Sequence, residues 1–458
     1  MFHKILIAYF AAFIVFWFLG VDQLFFLVFC CVGLFAYLAN EKTAPDREVV
    51  FFAFFVFATF FSVFQISTAD RYVTYVRNEG VYIAMLFIFV SSTFESARKE
   101  YATEKLYFAL LVFSIQCTLI AFLASSGISI AFKSVAGYVL PDLGSKYISG
   151  MLNKSAIQAE ALWFSAGFYR PRGLMMYPNT MAGVLASTVA LKAYFVYKFW
   201  RDGLKIFAVV CLMAIYMDIF SIYSSLSRST WIGIAIALVV FPFAFKTNFL
   251  AKLVPVLAGG VVIGLVFLTG LSDGIESRLV EKTHSNEGRG LNYTLIWQET
   301  TSSADKILFG HGTQIDHELL DIPLGSHSTY LGVFFKYGVT GSVFLLLFLI
   351  FLYRRTLSLT RNANRLNGYG YRCIRPYFLC FALIIPIVQM MFIEVDVDLS
   401  YALYFSALVF LIGQESRAVN ERIDRLNVRV DRSDHPGYQP SFRPAPVALG
   451  DPISAPRR

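Results

Sequence analysis

The chain has 458 residues, of which 57% are hydrophobic and only 15% charged, and its mean hydropathy is +0.60. An average soluble protein carries about a quarter charged residues, so these proportions exclude an ordinary soluble enzyme and point to a polytopic membrane protein. The net charge of +8 does not indicate a nucleic-acid partner, because the cations fall in short links between apolar blocks, where the positive-inside bias puts them.

Backbone groups in lipid must be satisfied within their own segment, so apolar blocks of roughly 20 residues are spanning helices. Twelve are predicted, near 5–19, 22–39, 49–67, 81–94, 106–125, 179–199, 206–223, 230–245, 253–271, 328–353, 376–393 and 399–413. The first follows His3 and Lys4 and imitates a signal peptide. No small-residue cleavage site follows it and the second block starts almost at once, so it is expected to be retained, in a hairpin with the second. Alternate links carry Lys42 and Arg47, then Arg98, Lys99 and Lys105, then Lys198, Arg201 and Lys205, then Lys246 and Lys252. The link from Arg354 to Arg375 adds six arginines and no acid. Placing that set in the cytoplasm puts both termini there.

The expected fold is an all-α integral membrane protein with about 12 transmembrane helices, N-in/C-in, and two large loops on the opposite face, which is periplasmic in a bacterium and the cell surface in another kind of organism. Its parts are helices one to five at 1–125, a first large loop at 126–178, and helices six to nine at 179–271. A second large loop at 272–327, helices ten to twelve at 328–413 and a cytoplasmic tail at 414–458 complete it. The tail mixes Arg, Glu and Asp and then carries six prolines, from Pro436 to Pro456. That composition cannot bury a core and predicts disorder. The six cysteines lie in apolar blocks or in a link placed in the cytoplasm, so neither a disulfide framework nor a zinc site is implied.

Residues suited to chemistry cluster on the loop side. Arg170-Pro-Arg172-Gly173 leads to Pro178-Asn179 at the mouth of the sixth helix. Two guanidinium forks suit phosphate oxygens. Gly173 permits an unusual turn, and Pro178 pre-sets a helix start whose free amides near Asn179 can face an anion. A further arginine stands in Ser225-Leu-Ser227-Arg228, in a very short link. The plainer reading of each arginine is interfacial snorkelling or a salt bridge. In the second loop, Glu287 to Gln298, with Arg289 and Tyr293, has an amphipathic helical look, and Gly310-His311-Gly312 follows. The loop then meets an apolar helix at His327-Ser328, with Gly338 and Gly341 further in. An imidazole exchanges protons near neutral pH, and the two glycines would let another helix approach closely. His284, His311 and His317 share this loop with His327, but no His-x-x-x-His or His-Glu-x-x-His pair is present, so no metal site is expected. Asp396-Val-Asp398 is expected to cap or solvate a tight turn between the last two helices.

Taken in order, Arg170-x-x-Gly173, Pro178-Asn179, Ser225-x-Ser227-Arg228 and His327-Ser328 with Gly338-x-x-Gly341 resemble the pattern of bacterial O-antigen ligases and related lipid-linked glycan transferases and polymerases. Tyr177 stands where that pattern has a leading Asn, and Arg172 has no clear counterpart. The resemblance covers about residues 165–345. It implies a glycosyltransferase in the bacterial inner membrane with its active site facing the periplasm. The donor would be a glycan on undecaprenyl pyrophosphate and the acceptor a sugar hydroxyl of lipid A-core oligosaccharide. His327 would be the base or orient the acceptor, and Arg170 and Arg228 would stabilise the leaving pyrophosphate. Arg172, Arg289, Asn179, Ser328 and Tyr293 would contact substrate. No cofactor, no metal and no nucleic acid would be involved, and direct displacement would invert the anomeric centre. An O-antigen or exopolysaccharide polymerase and a protein O-oligosaccharyltransferase share these features. A lipid-linked glycan flippase, the alternative from another class, would need a central cavity and balanced halves rather than two unequal loops.

Overall fold

The computed structural model describes residues 2–39, 44–94, 100–128, 130–139, 152–157, 170–225, 227–240, 283–320, 323–326, 328–368, 373–396 and 398–433. Helices α1 (Phe2–Ala11) and α2 (Phe13–Leu19) are separated at Ala12, and a left-handed Gly20 ends α2. Then come α3 (Phe25–Ala39), α4 (Arg47–Phe60), α5 (Ala69–Phe94) and α6 (Glu100–Ser125). Strands β1 (Ala131–Lys133) and β2 (Asn153–Ser155) flank the short α7 (Val135–Val139). They are followed by α8 (Pro178–Arg201), α9 (Lys205–Ser225), α10 (Arg228–Val240), α11 (Thr283–Thr300) and α12 (Ala304–Phe309). The chain continues through α13 (Thr329–Gly368), α14 (Arg375–Gln389) and α15 (Leu399–Ser433).

Seven helices among the described residues are long and apolar enough to cross a membrane, and Ser229–Val240 and Arg375–Gln389 are shorter apolar helices. The chain is therefore a multi-pass, helical membrane protein. Of the twelve expected spans, the ninth, at 253–271, lies outside the described residues, and the first is two short helices rather than one. The described residues are all-helical as expected, apart from one short ribbon in which β1 and β2 pair antiparallel with Phe132 opposite Lys154.

Packing explains what faces lipid and what does not. Every residue of α15 from Leu399 to Ser416 is buried. This is the central helix, packed by α5, α13 and α14. By contrast α9 exposes Ile206, Phe207, Met213 and Tyr216, the pattern of a helix with one face in hydrocarbon, where lipid tails replace protein contacts. Its other face carries Asp218, which binds Lys192 of α8 at 2.5 Å with both side chains fully buried, and Thr118 of α6 donates to the same carboxylate at 2.6 Å. An ion pair in such a place tolerates little slippage, since a displaced partner leaves a bare charge in a low-dielectric interior. It fixes α6, α8 and α9 in register.

Three helices run longer than the hydropathy pattern indicates. α5 begins at Ala69 rather than 81, because Arg71 and Glu79 in its first turns are hydrogen-bonded inside the protein: Arg71 donates to the His311 carbonyl and Thr313, and Glu79 accepts from Thr59. α13 continues to Gly368, through most of the expected cytoplasmic link. α15 continues to Ser433, so residues 414–433 are helical where disorder was expected. The reason is again partnered charge. Arg417 bonds the Ser92 carbonyl and Asp46, Gln414 donates to the Ser92 carbonyl, and Glu415 pairs with Arg375. The proline-rich stretch 434–458 lies outside the described residues.

Candidate active site

The mouth of α8 follows the sequence expectation closely. Gly173 adopts φ +54°, and Pro178 is the first residue of α8. Arg170 reaches two partners there. Its Nε donates to the Ser225 carbonyl at 3.0 Å and its Nη2 to Asn179 Oδ1 at 2.9 Å. Ser225 is the last residue of α9, where carbonyls lack intrahelical donors, so one guanidinium joins the start of α8 to the end of α9. Arg228 opens α10 three positions further along the chain. The fold thus brings Arg170, Asn179 and the Arg228 position together.

Gln389, the last residue of α14, extends this assembly. Its Nε2 donates to the Asn179 carbonyl at 3.2 Å and to Thr230 Oγ1 at 2.7 Å, while Oε1 accepts from the Tyr401 hydroxyl at 3.1 Å. Thr230 in turn donates to Ser227, which contacts Ser229. The amide fits because position 183 has no side chain: a Cβ at Gly183 would lie 1.6 Å from Gln389 Oε1.

The histidine junction begins one residue past Gln389. The Met390 carbonyl accepts from Thr329 N at 2.8 Å, and Thr329 Oγ1 donates to the Ile393 carbonyl at 2.6 Å and accepts from Val395 N at 3.0 Å. Ser328 is buried and its hydroxyl accepts from Leu331 N, capping α13. Before the junction, Asn292 of α11 donates to Ser326 Oγ at 3.3 Å. His327 itself lies outside the described residues, but both of its neighbours are anchored, one to α11 and the other within α13. Residues 389 and 390 thus tie the arginine mouth to the histidine junction.

The second loop closes over the same end. Gly310 and Gly312 take positive φ, as the Gly-x-Gly pattern suggests. His311 N and Gly312 N donate to the Phe335 and Lys336 carbonyls, and the buried His311 ring stacks on Phe335 at 4.4 Å. Burial holds this imidazole below its ordinary range, with Lys306 reinforcing the effect. The carbonyls are available because Gly338 breaks α13 with φ 66° and ψ −164°. Gly338 therefore makes a kink rather than only a close approach, and a Cβ there would lie 2.5 Å from the Leu308 carbonyl.

Other expected residues have different surroundings. Arg172 donates to the Ser155 carbonyl at 2.6 Å and holds β2. Tyr293 is half-buried against the Ile296, Leu324 and Phe335 cluster. Arg289 lies on α11, and the side chains of Arg228 and Arg289 are not among those described. Asp398 behaves as expected, with Oδ1 accepting from Ser400 N and Tyr401 N at the start of α15. Its Oδ2 also accepts from Met176 N and Thr180. Burial raises its pKa, and those hydrogen bonds oppose the rise. Asp396 instead pairs with Lys336 at 2.5 Å. No group of three or more His, Cys, Asp or Glu side chains among the described residues is placed to hold a metal.

Gln389 and Lys336 escaped the sequence reading. A polar residue within an apolar helix is the signal that marks both, since such groups are costly there unless matched.

Residues 212–346 match the family model described as O-antigen ligase. The match spans most of α9, α10, the second loop and the first part of α13, and it contains Ser225 to Arg228, His327 and Gly338. Arg170, Arg172 and Asn179 precede it. No curated protein matches the chain.

Proposed function

We propose, from an O-antigen ligase match embedded in a multi-pass helical protein, that the chain transfers a glycan from undecaprenyl pyrophosphate to a sugar hydroxyl of lipid A-core oligosaccharide. The observation that carries this reading is the adjacency of Gln389 and Met390, which draws the arginine-bearing mouth of α8 and α10 to the junction that holds His327. Transfer to a hydroxyl needs a base beside the nucleophile and positive charge beside the leaving group. His327 takes or orients the acceptor proton. The bond between the anomeric carbon and pyrophosphate breaks, and Arg170 and Arg228 stabilise the departing oxygens, with Arg172 or Arg289 adding to the field. Asn179 orients Arg170, while Tyr293 and Ser328 line the approach. Attack opposite the leaving group inverts the anomeric centre. In this reading the site faces the periplasm across a bacterial inner membrane, with both termini in the cytoplasm.

The test uses purified protein with lipid-linked donor and lipid A-core acceptor. His327→Ala should abolish transfer while leaving the protein folded, because one imidazole at a loop–helix junction adds little packing. Near wild-type transfer by that variant would remove its role. In a deletion strain, loss of every polymer-capped lipopolysaccharide band supports the ligase. Survival of single-repeat capping would replace it with a polymerase.

A further inference from the structure

The first nine residues of α13, Thr329 to Tyr337, are not a rigid extension of the membrane helix. Gly338 interrupts the hydrogen-bond ladder immediately after them, so the direction in which this short segment points must be set by side contacts. Two of those contacts lie on one face. Thr329 and Lys336 are seven residues apart, two helical turns, and both grip the link between α14 and α15. Thr329 holds the backbone at Ile393 and Val395. Lys336 Nζ sits 2.5 Å from Asp396 and 3.5 Å from Glu394, with its side chain about 1% exposed. Glu394 is also bound by Gln314 Nε2 at 2.5 Å, and the Lys336 carbonyl accepts from Gly312 N at 2.7 Å. Two carboxylates therefore hold one lysine, and that lysine connects the second loop, the start of α13 and the last link.

We propose that Lys336 is a positioning residue for the transfer reaction: it clamps the loop at 310–314 and the link at 394–396 onto the α13 start, and so aims the junction that carries His327. The clamp rests on the transferase reading for its role in turnover, but not for its existence. An ammonium serves here because a compact charge can satisfy two carboxylates on a short stem-to-acid distance, and its loss leaves buried carboxylates unmatched. Misdirecting a reacting group by about 1 Å costs on the order of 100-fold in rate while leaving substrate affinity largely intact. The signature is thus a fall in kcat without a matching rise in KM.

Three variants of the full-length protein in detergent, Lys336→Met, Lys336→Arg and Gln314→Ala, test this by hydrogen–deuterium exchange and by transfer kinetics. Lys336→Met should raise exchange of peptides covering 310–315 and lower kcat by about 100-fold, with KM for the lipid-linked donor within about threefold of wild type. Lys336→Arg keeps the charge and should recover both readouts in part. Gln314→Ala removes only the loop's bond to Glu394, so it remains informative if Lys336→Met does not fold. It should move both readouts in the same direction by a smaller amount. Unchanged exchange at 310–315 in the folded Met variant, or in Gln314→Ala if the Met variant fails to fold, would overturn the clamp. Raised exchange with unchanged kcat, or a KM that rises in step with the loss of kcat, would overturn the positioning role. Absence of transfer by the wild-type protein would instead sink the functional reading, and exchange would still decide whether the clamp exists.

Discussion

Gln389 shows how one side chain can govern a site without carrying charge. It is fully buried, at the end of an apolar helix, and its amide satisfies Asn179, Thr230 and Tyr401 from three different helices. A buried amide of this kind is stabilising only when all its partners are present. The space it occupies comes from Gly183, so the pair should be read as one device. Gly183→Ala would place a methyl on the amide, forcing Gln389 away from Asn179 and Thr230. We expect a loss of about 1–3 kcal/mol of stability, seen as a lower melting temperature in detergent, together with weaker donor binding as the backbone at Asn179, whose side chain holds Arg170, loses its tie to α14. A variant as stable and as tight-binding as wild type would show that the network does not set the mouth of α8. Around it, the turn at Gly173 and the helix start at Pro178 were legible in the sequence because those residues restrict the backbone in known ways. Gln389 was not, since its partners are distant in the chain and only the fold reveals them.

At the level of elements, seven of the twelve expected spans coincide with described helices long and apolar enough to cross a membrane, but helix ends were misplaced. α5 starts early and α13 and α15 end late because the charged turns at those ends find partners in other parts of the chain, which a hydropathy pattern cannot see. The Gly338-x-x-Gly341 spacing was visible, whereas its effect was not: helical glycines usually permit close packing, but here the backbone itself turns. Gly338 has φ 66° and ψ −164°, a region essentially reserved for glycine. The turn frees the Phe335 and Lys336 carbonyls for the loop at His311 and Gly312. Gly338→Ala meets both backbone strain and the Leu308 carbonyl, so it should cost at least the 1–3 kcal/mol typical of such strain. It should also release the 308–313 loop, measured as faster exchange there than in wild type. Gly368→Ala, at the far end of the same helix, should not, because a Cβ there meets nothing within 4 Å. Equal loop protection in both variants would mean that the kink does not hold the loop.

At the scale of the molecule, the pairing of charge among the described residues favours a metal-free form of the proposed transfer. Among the described acids at this end, four have protein partners. Asp398 caps α15 and anchors the approach to α8, Asp396 and Glu394 share Lys336, and Glu79 is bound by Thr59. At the opposite end of α13 and α15, Asp46 and Glu48 are paired with Arg355, and Asp46 also with Arg417. A divalent ion needs several uncommitted oxygen ligands, while a pyrophosphate leaving group can be stabilised by guanidinium groups, which keep their charge and bind phosphate in a fork. Transfer should therefore persist in excess EDTA, assayed with purified protein, lipid-linked donor and lipid A-core acceptor. Chelators also strip the divalent ions that hold lipopolysaccharide aggregates together, so the acceptor must be dispersed in detergent first. Complete loss of transfer, restored by one particular divalent ion, would overturn the arginine mechanism. It would direct attention to Asp396, Asp398 and the loop histidines, which would then have to exchange their present partners for the metal.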